Sequence, residues 1–166
     1  SPKQAMGVAQ FLYEGVDLGG GDREGLITYM RTDSVTMSED ALQEAAGFIA
    51  SEFGDRYYDG PRTYKTKARS AQEAHEAIRP THMARKPSEV SEYLTPEQLA
   101  LYELIWQQAV ASQMTDAEVD RTTIDLVAAA DGGPYTYRLT GSVLTFPGFK
   151  AIMGRDANDQ LLPQVA

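Results

Sequence analysis

Thr95-Pro96-Glu97-Gln98-Leu99-Ala100-Leu101-Tyr102-Glu103-Leu104-Ile105-Trp106, running on through Ala109 and Val110, decides the architecture. Thr95 is a hydroxyl N-cap, Pro96 suits the first helical position, and Gln98 completes a capping box. Leu94 and Leu99 are placed to staple the entry. Leu99, Tyr102, Trp106, Ala109 and Val110 recur along one face, so the spacing predicts an amphipathic helix. Past residue 118 the period drops to two: Thr122, Ile124, Leu126 and Ala128 alternate with Thr123, Asp125 and Val127. Asp131-Gly132-Gly133-Pro134 reads as a turn, and Tyr135 to Leu144 as a returning strand. The expected class is therefore α+β. A mainly helical domain over 1–115 precedes a β segment over 116–166 that is too small to stand alone and needs partner strands.

Three more helix starts lie upstream. Ser1-Pro2-Lys3-Gln4 caps a helix with Ala5, Val8, Ala9 and Leu12 on its apolar face and Gly15 at its end. Ser38 caps a second, with Glu39 and Asp40 suited to the positive end of the helix dipole. Its buried stripe is Ala41, Leu42, Ala45, Ile49 and Phe53, and Gly54 stops it. Ser70-Ala71-Gln72-Glu73 is another capping box, opening a short helix that must end before Pro80. On that helix Gln72, His75, Glu76 and Arg79 would form one polar stripe, with Ala71, Ala74, Ala77 and Ile78 on the buried side.

Composition narrows the function. With 42% hydrophobic and 23% charged residues the chain is globular, not disordered. No run of about 18 apolar residues offers a membrane span, and the start has no secretory-signal pattern. The absence of cysteine removes disulfides, thiolate metal sites and thiol nucleophiles. Two histidines, His75 and His82, do not suffice for a usual zinc site. The end, Gln160-Leu161-Leu162-Pro163-Gln164-Val165-Ala166, has no stop signal, and a segment of a longer chain is expected.

The net charge of -9 argues against a polyanion partner until its distribution is read. Residues 1–55 carry net -7 and residues 88–120 again net -7, whereas residues 56–87 carry net +5. The cations of that middle block are Arg56, Arg62, Lys65, Lys67, Arg69, Arg79, Arg85 and Lys86. Screening over about 8 Å lets a phosphate respond to this block rather than to the whole molecule. Two readings stay open, a solvated loop or a docking surface for single strands or a protein; tight autonomous DNA binding is not expected.

Chemistry concentrates in two stretches. The first is Gly25-Leu26-Ile27-Thr28-Tyr29-Met30-Arg31-Thr32-Asp33-Ser34, which follows Gly19-Gly20-Gly21. If extended, it sets Tyr29, Arg31 and Asp33 on one face and Leu26, Thr28, Met30 and Thr32 on the other. A phenol with an ordinary pKa near 10 is a weak nucleophile at neutral pH. A neighbouring guanidinium would favour phenolate and brace a phosphoryl group as its charge rises during attack. The second is Gln72-Glu73-Ala74-His75-Glu76-Ala77-Ile78-Arg79-Pro80-Thr81, where His75 titrates near neutrality and Arg79 can clasp a phosphate. Each alone also reads as ordinary surface.

Together, the two stretches closely resemble the type IA DNA topoisomerases, the bacterial branch in particular. Leu12-Tyr13-Glu14-Gly15 and Leu101-Tyr102-Glu103-Leu104-Ile105-Trp106 fit the same family, and the likeness is weakest after about residue 145. The resemblance implies a helical domain that carries the catalytic tyrosine, inserted in a β-rich domain arching over the DNA gate. Residues 1–115 would be the tyrosine domain and 116–166 part of the arch. It also implies that Tyr29 attacks a phosphodiester of single-stranded DNA, giving a 5′-phosphotyrosine link and a free 3′-hydroxyl, and so relaxes negative supercoils without ATP. Arg31 would orient the scissile phosphate; His75 would hold DNA, with Asp33 as its partner. Arg79, and less strongly Thr32 and Ser34, would be further DNA contacts. The family's acidic Mg²⁺ half-site, with its Asp-x-Asp motif and a lysine, is not found here. Mg²⁺ is thus expected outside this chain, which would hold no metal ligands and no relaxation activity of its own. Its expected partners are single-stranded DNA and the remaining domains of the same polypeptide, in a monomer of the bacterial cytoplasm, at the nucleoid.

Overall fold

The computed structural model describes residues 1–30, 34–64, 76–129 and 131–154. It is mixed helix and strand, the α+β class expected, and divides into two compact units, Ser1–Thr115 and Asp116–Ala166.

In the first unit, helix α1 (Pro2–Glu14) is capped by Ser1, whose hydroxyl accepts from the Gln4 amide, and ends at Gly15. A short hairpin follows, β1 (Val16–Asp17) against β2 (Arg23–Glu24). The Gly19-Gly20-Gly21 stretch is its turn, held by the Asp17 carboxylate, which accepts from the Gly19 and Gly21 amides at 2.8 and 3.2 Å. The sequence pattern missed this hairpin because strands of two residues carry no periodicity. Helix α2 (Glu39–Phe53) starts at the Ser38 cap and stops at Gly54, as its signals predict. A one-turn helix, α3 (Pro87–Val90), comes before α4 (Pro96–Gln113), which bears the Thr95–Gln98 capping box in full.

Helix α4 is the base on which the unit is assembled. It packs against α1, α2 and α3. Ala9, Leu12, Val16, Leu26, Ile27, Met30, Val90, Leu94 and Tyr102 close one core cluster. Tyr102 is fully buried and its hydroxyl donates to the Arg85 carbonyl at 2.9 Å. One turn on, the Trp106 indole N–H donates to the Met83 carbonyl at 2.8 Å, and its ring meets Phe48 of α2 edge-on with centroids 5.6 Å apart. Aromatic bodies with one polar handle suit such positions, since the buried hydroxyl and indole N–H both find acceptors. At the end of α4 the buried Gln113 amide exchanges hydrogen bonds with the Arg62 backbone, accepting at 3.0 Å and donating at 3.1 Å.

In the second unit, β3 (Glu118–Ala128) pairs antiparallel with β4 (Tyr135–Phe146), with a register irregularity between Glu118 and Val119. Arg138 bridges to Asp125 across the ladder at 2.7 Å. Apolar side chains on this hairpin, including Leu126, Val127, Tyr135 and Tyr137, are largely exposed. A single helical turn, α5 (Lys150–Met153), follows.

One expectation fails. The polar stripe presumed a helix as far as Arg79, yet residues 76–79 are not helical. They run beside the 25–28 segment, with Ile27 bridged antiparallel to Pro80. Proline drives the residue before it out of the helical region. The amides that a helix would have paired locally go to distant acceptors: Ala77 N–H to the Thr36 carbonyl at 2.7 Å, and Arg79 N–H to the Thr28 hydroxyl at 3.0 Å. The start of that expected helix, with Gln72 and His75, lies outside the described residues.

Candidate active site

Tyr29 sits on an extended segment fixed on both sides. On one side, the Leu26 amide donates to the Leu12 carbonyl at 2.8 Å. Gly25 is required here, because a Cβ at that position would lie 2.7 Å from the Tyr13 carbonyl oxygen. On the other side, Thr28 N–H donates to the Arg79 carbonyl at 2.9 Å, Thr81 N–H to the Leu26 carbonyl at 3.0 Å, and the Thr81 hydroxyl to the Gly25 carbonyl at 2.8 Å. Leu26 and Met30 are buried and Thr28 is half-buried, while Tyr29 points outward with 52% of its surface exposed. The alternation expected of an extended chain therefore holds over 28–30. The Tyr29 ring touches that of Tyr13 edge-on, with centroids 5.3 Å apart and planes at 61°. This pair leaves the phenol open to a large polyanion while limiting how the ring can tilt.

Arg31, Thr32, Asp33 and His75 lie outside the described residues. Ser34 is half-buried, and its hydroxyl accepts from the Thr36 amide at 3.2 Å in a local turn leading to α2. Arg79 is described in full. Only 9% of it is exposed, and its guanidinium faces protein acceptors throughout. Nε and Nη2 grip the two Glu76 carboxylate oxygens at 2.8 and 3.0 Å. Nη1 donates to the Pro80 carbonyl at 2.7 Å and the Thr81 carbonyl at 3.4 Å, and Nη2 also reaches the Ser38 hydroxyl at 3.5 Å. A guanidinium has five N–H groups, so none is left over for the phosphate contact that the sequence suggested.

Burial pushes the Glu76 carboxyl up, but the Arg79 guanidinium and the Ser38 amide and hydroxyl outweigh it and hold the group below the ordinary carboxylate value. A depressed carboxylate contributes stability that is present above its unfolded value of 4.5 and lost as pH falls through the folded one. Glu76→Gln is therefore expected to cost about 1.5–3 kcal/mol in urea unfolding at pH 7, the range for hydrogen bonds to charged groups. Its deficit relative to the wild type should shrink on acidification below 4.5. An equal deficit at pH 7 and pH 3 would show that the charge contributes nothing.

Several described cations of the basic block are paired with carboxylates. Arg62 pairs with Asp59, Arg85 with Glu24, Lys86 with Glu52 and Arg79 with Glu76. His82 also meets Glu24, at 3.2 Å. The negative 1–55 block supplies two of these partners, Glu24 and Glu52, so folding interleaves charges that the sequence separates. Among the described residues no three His, Asp or Glu side chains are grouped to hold a metal ion. The described residues thus present no such cluster to a Mg²⁺ ion. Nor is any described helix long and apolar enough to cross a membrane.

A solvent-facing phenol thus stands on a segment clamped by the Glu-Ala-Ile-Arg-Pro-Thr run. A family model described as DNA topoisomerase matches residues 1–166, and the chain belongs to that family. It is 48% identical over 151 residues to DNA topoisomerase 1 of Xylella fastidiosa strain 9a5c, a match covering 90% of this chain and 18% of that protein. It is 45% identical over 165 residues to DNA topoisomerase 1 of Treponema pallidum, covering 97% of this chain and 22% of that protein. Among solved structures, full-length topoisomerase I from Thermotoga maritima matches with a TM-score of 0.79 at 34% identity, over 99% of this chain and 26% of that one. The chain thus spans about a fifth of the length of the curated relatives it matches.

Sequence reasoning passed over three participants. In sequence Thr28 and Ser38 are only an extended-chain position and a helix cap, and Tyr13 only part of a family motif. The Glu76-x-x-Arg79 spacing was the one signal for the ion pair. It was read on a helix, although the pair forms across a bend.

Proposed function

We propose that the protein carrying this segment is a type IA DNA topoisomerase whose nucleophile is Tyr29. The observation that carries this reading is the exposed phenol of Tyr29 on a segment fixed from both sides, in a chain of the DNA topoisomerase family. The Tyr29 oxygen attacks a backbone phosphorus of single-stranded DNA. The new P–O bond forms as the bond to the 3′ oxygen breaks; the phenol proton is lost, and the departing oxygen takes up a proton as a 3′-hydroxyl. The 5′ phosphate stays on Tyr29 as a phosphodiester, so reversal needs no ATP, and strand passage through the gap relaxes negative supercoils. Arg31 braces the phosphate, His75 with Asp33 holds the strand, and Thr32 and Ser34 line its path. Charge stabilisation of this kind is the largest protein contribution to phosphoryl transfer.

Residues 1–115 form the tyrosine domain and 116–166 a part of the β-rich arch, whose exposed hairpin pairs with strands elsewhere in the polypeptide. Mg²⁺ is held by other domains of the same chain, and the enzyme acts as a monomer in the bacterial cytoplasm. Residues 1–166 alone then have only the nucleophile half of the site. Incubated with negatively supercoiled plasmid and Mg²⁺, they should give no relaxation, while the full-length protein relaxes the plasmid. Relaxation by the isolated segment would overturn the split-site reading.

A further inference from the structure

We propose that Thr28, Glu76 and Arg79 form a clasp that positions Tyr29 for attack, with Arg79 acting as a positioning residue and not as a phosphate ligand. The inference rests on Tyr29 being the nucleophile.

The clasp is a continuous set of bonds from helix α2 to the phenol-bearing segment. At its outer end, the Ser38 amide, at the cap of α2, donates to Glu76 Oε1 at 2.8 Å. Glu76 holds Arg79 through both carboxylate oxygens. The Arg79 backbone pairs with Thr28 in both directions: its carbonyl accepts the Thr28 amide at 2.9 Å, and its amide donates to the Thr28 hydroxyl at 3.0 Å. That hydroxyl in turn donates to the Ala77 carbonyl at 2.7 Å. Thr28 is covalently next to Tyr29, so the chain closes on the nucleophile. The bidentate fork is planar and stiff, and Arg79 is anchored further by the Pro80 and Thr81 carbonyls. A phosphate could recruit this guanidinium only by displacing one of these partners.

Such a device acts on the rate of attack and not on the affinity for DNA. A displacement of about 1 Å at the reacting atom costs about 100-fold. In the full-length protein, Thr28→Val keeps the side chain's shape but removes the hydroxyl that joins Ala77 to Arg79. Single-turnover formation of the covalent adduct should fall about 10- to 100-fold, with the dissociation constant for a single-stranded oligonucleotide changed by less than about twofold. Thr28→Ser restores the hydroxyl and should recover most of the rate. Arg79→Lys keeps the charge but loses the fork, and should show the same split between rate and binding.

Arg79→Gln separates the two roles directly. Loss of a phosphate contact would weaken binding and lower the slope of log affinity against log salt by about 0.7 for a single strand; loss of the clasp leaves that slope unchanged. Adduct formation by Thr28→Val at the wild-type rate would overturn the proposal, as would a reduced salt slope in Arg79→Gln. Should the Arg79 variants fail to fold, the Thr28 pair decides alone. A wild-type protein that forms no adduct on Tyr29 would instead refute the function on which the clasp rests.

Discussion

Tyr29→Phe in the full-length protein should abolish the covalent DNA adduct while leaving the fold and the binding of single strands intact. The substitution removes one oxygen from a ring that is half exposed and meets Tyr13 edge-on. That ring contact survives in phenylalanine, so stability should change by no more than about 0.5 kcal/mol, the usual range for surface positions. On the proposed mechanism the phenol oxygen reacts with the strand and does not anchor it, so affinity should stay within about twofold. Cleavage has no substitute for the missing oxygen, and its rate should drop by about 10⁴-fold or more, as with other nucleophile deletions. Gel-resolved adducts on a labelled oligonucleotide give the rate, and fluorescence anisotropy gives the affinity. A parallel loss of both would make Tyr29 a binding residue.

The largest effect on stability is expected at Trp106. Trp106→Ala should cost about 3–5 kcal/mol, the range for removing a large buried aromatic side chain. Three losses coincide: the packing against Phe48, the volume under α2, and the indole N–H that satisfies the buried Met83 carbonyl. Trp106→Phe keeps most of the packing and should cost only about 1–3 kcal/mol, the penalty for an orphaned polar group. Chemical denaturation separates the two. Equal costs would mean that the hydrogen bond carries the whole effect and the packing none of it, whereas a negligible cost for Trp106→Phe would mean that the hydrogen bond is irrelevant. Met83 follows closely on Pro80 and Thr81, which pair with the Tyr29 segment. Helix α4 therefore fixes the site through this run, and Trp106→Ala should loosen the clasp as well as the core.

How legible was this arrangement? The three long helices were written in their caps. Ser1, Ser38 and Thr95 begin them and Gly15 and Gly54 end two, because capping is local chemistry between neighbours in sequence. The β3–β4 hairpin was legible for the same reason, through its alternation and its glycine turn. What escaped was set by tertiary contact. Residues 76–79 carry a helical polar spacing, but their amides go to Thr36 and Thr28, and Pro80 removes the alternative. Local spacing puts Glu76 and Arg79 on one polar stripe of a helix, whereas in the fold the two pair across a bend. Block charges likewise say nothing of pairing: Glu24 and Glu52, distant in sequence, meet Arg85 and Lys86 in the fold. At the site, Tyr29 could be singled out from its motif, whereas Thr28 could not: a threonine in a strand becomes a clasp only when its partners, some fifty residues on, are in place.

The most direct measurement is peptide mapping by mass spectrometry. Adducts formed by the full-length protein on a single-stranded oligonucleotide are trapped with denaturant and digested with nuclease and protease. The nucleotide mass should lie on the peptide containing Tyr29, joined through a 5′ phosphate to the phenol oxygen. A nucleotide on any other side chain, or a linkage through the 3′ end, would contradict the account.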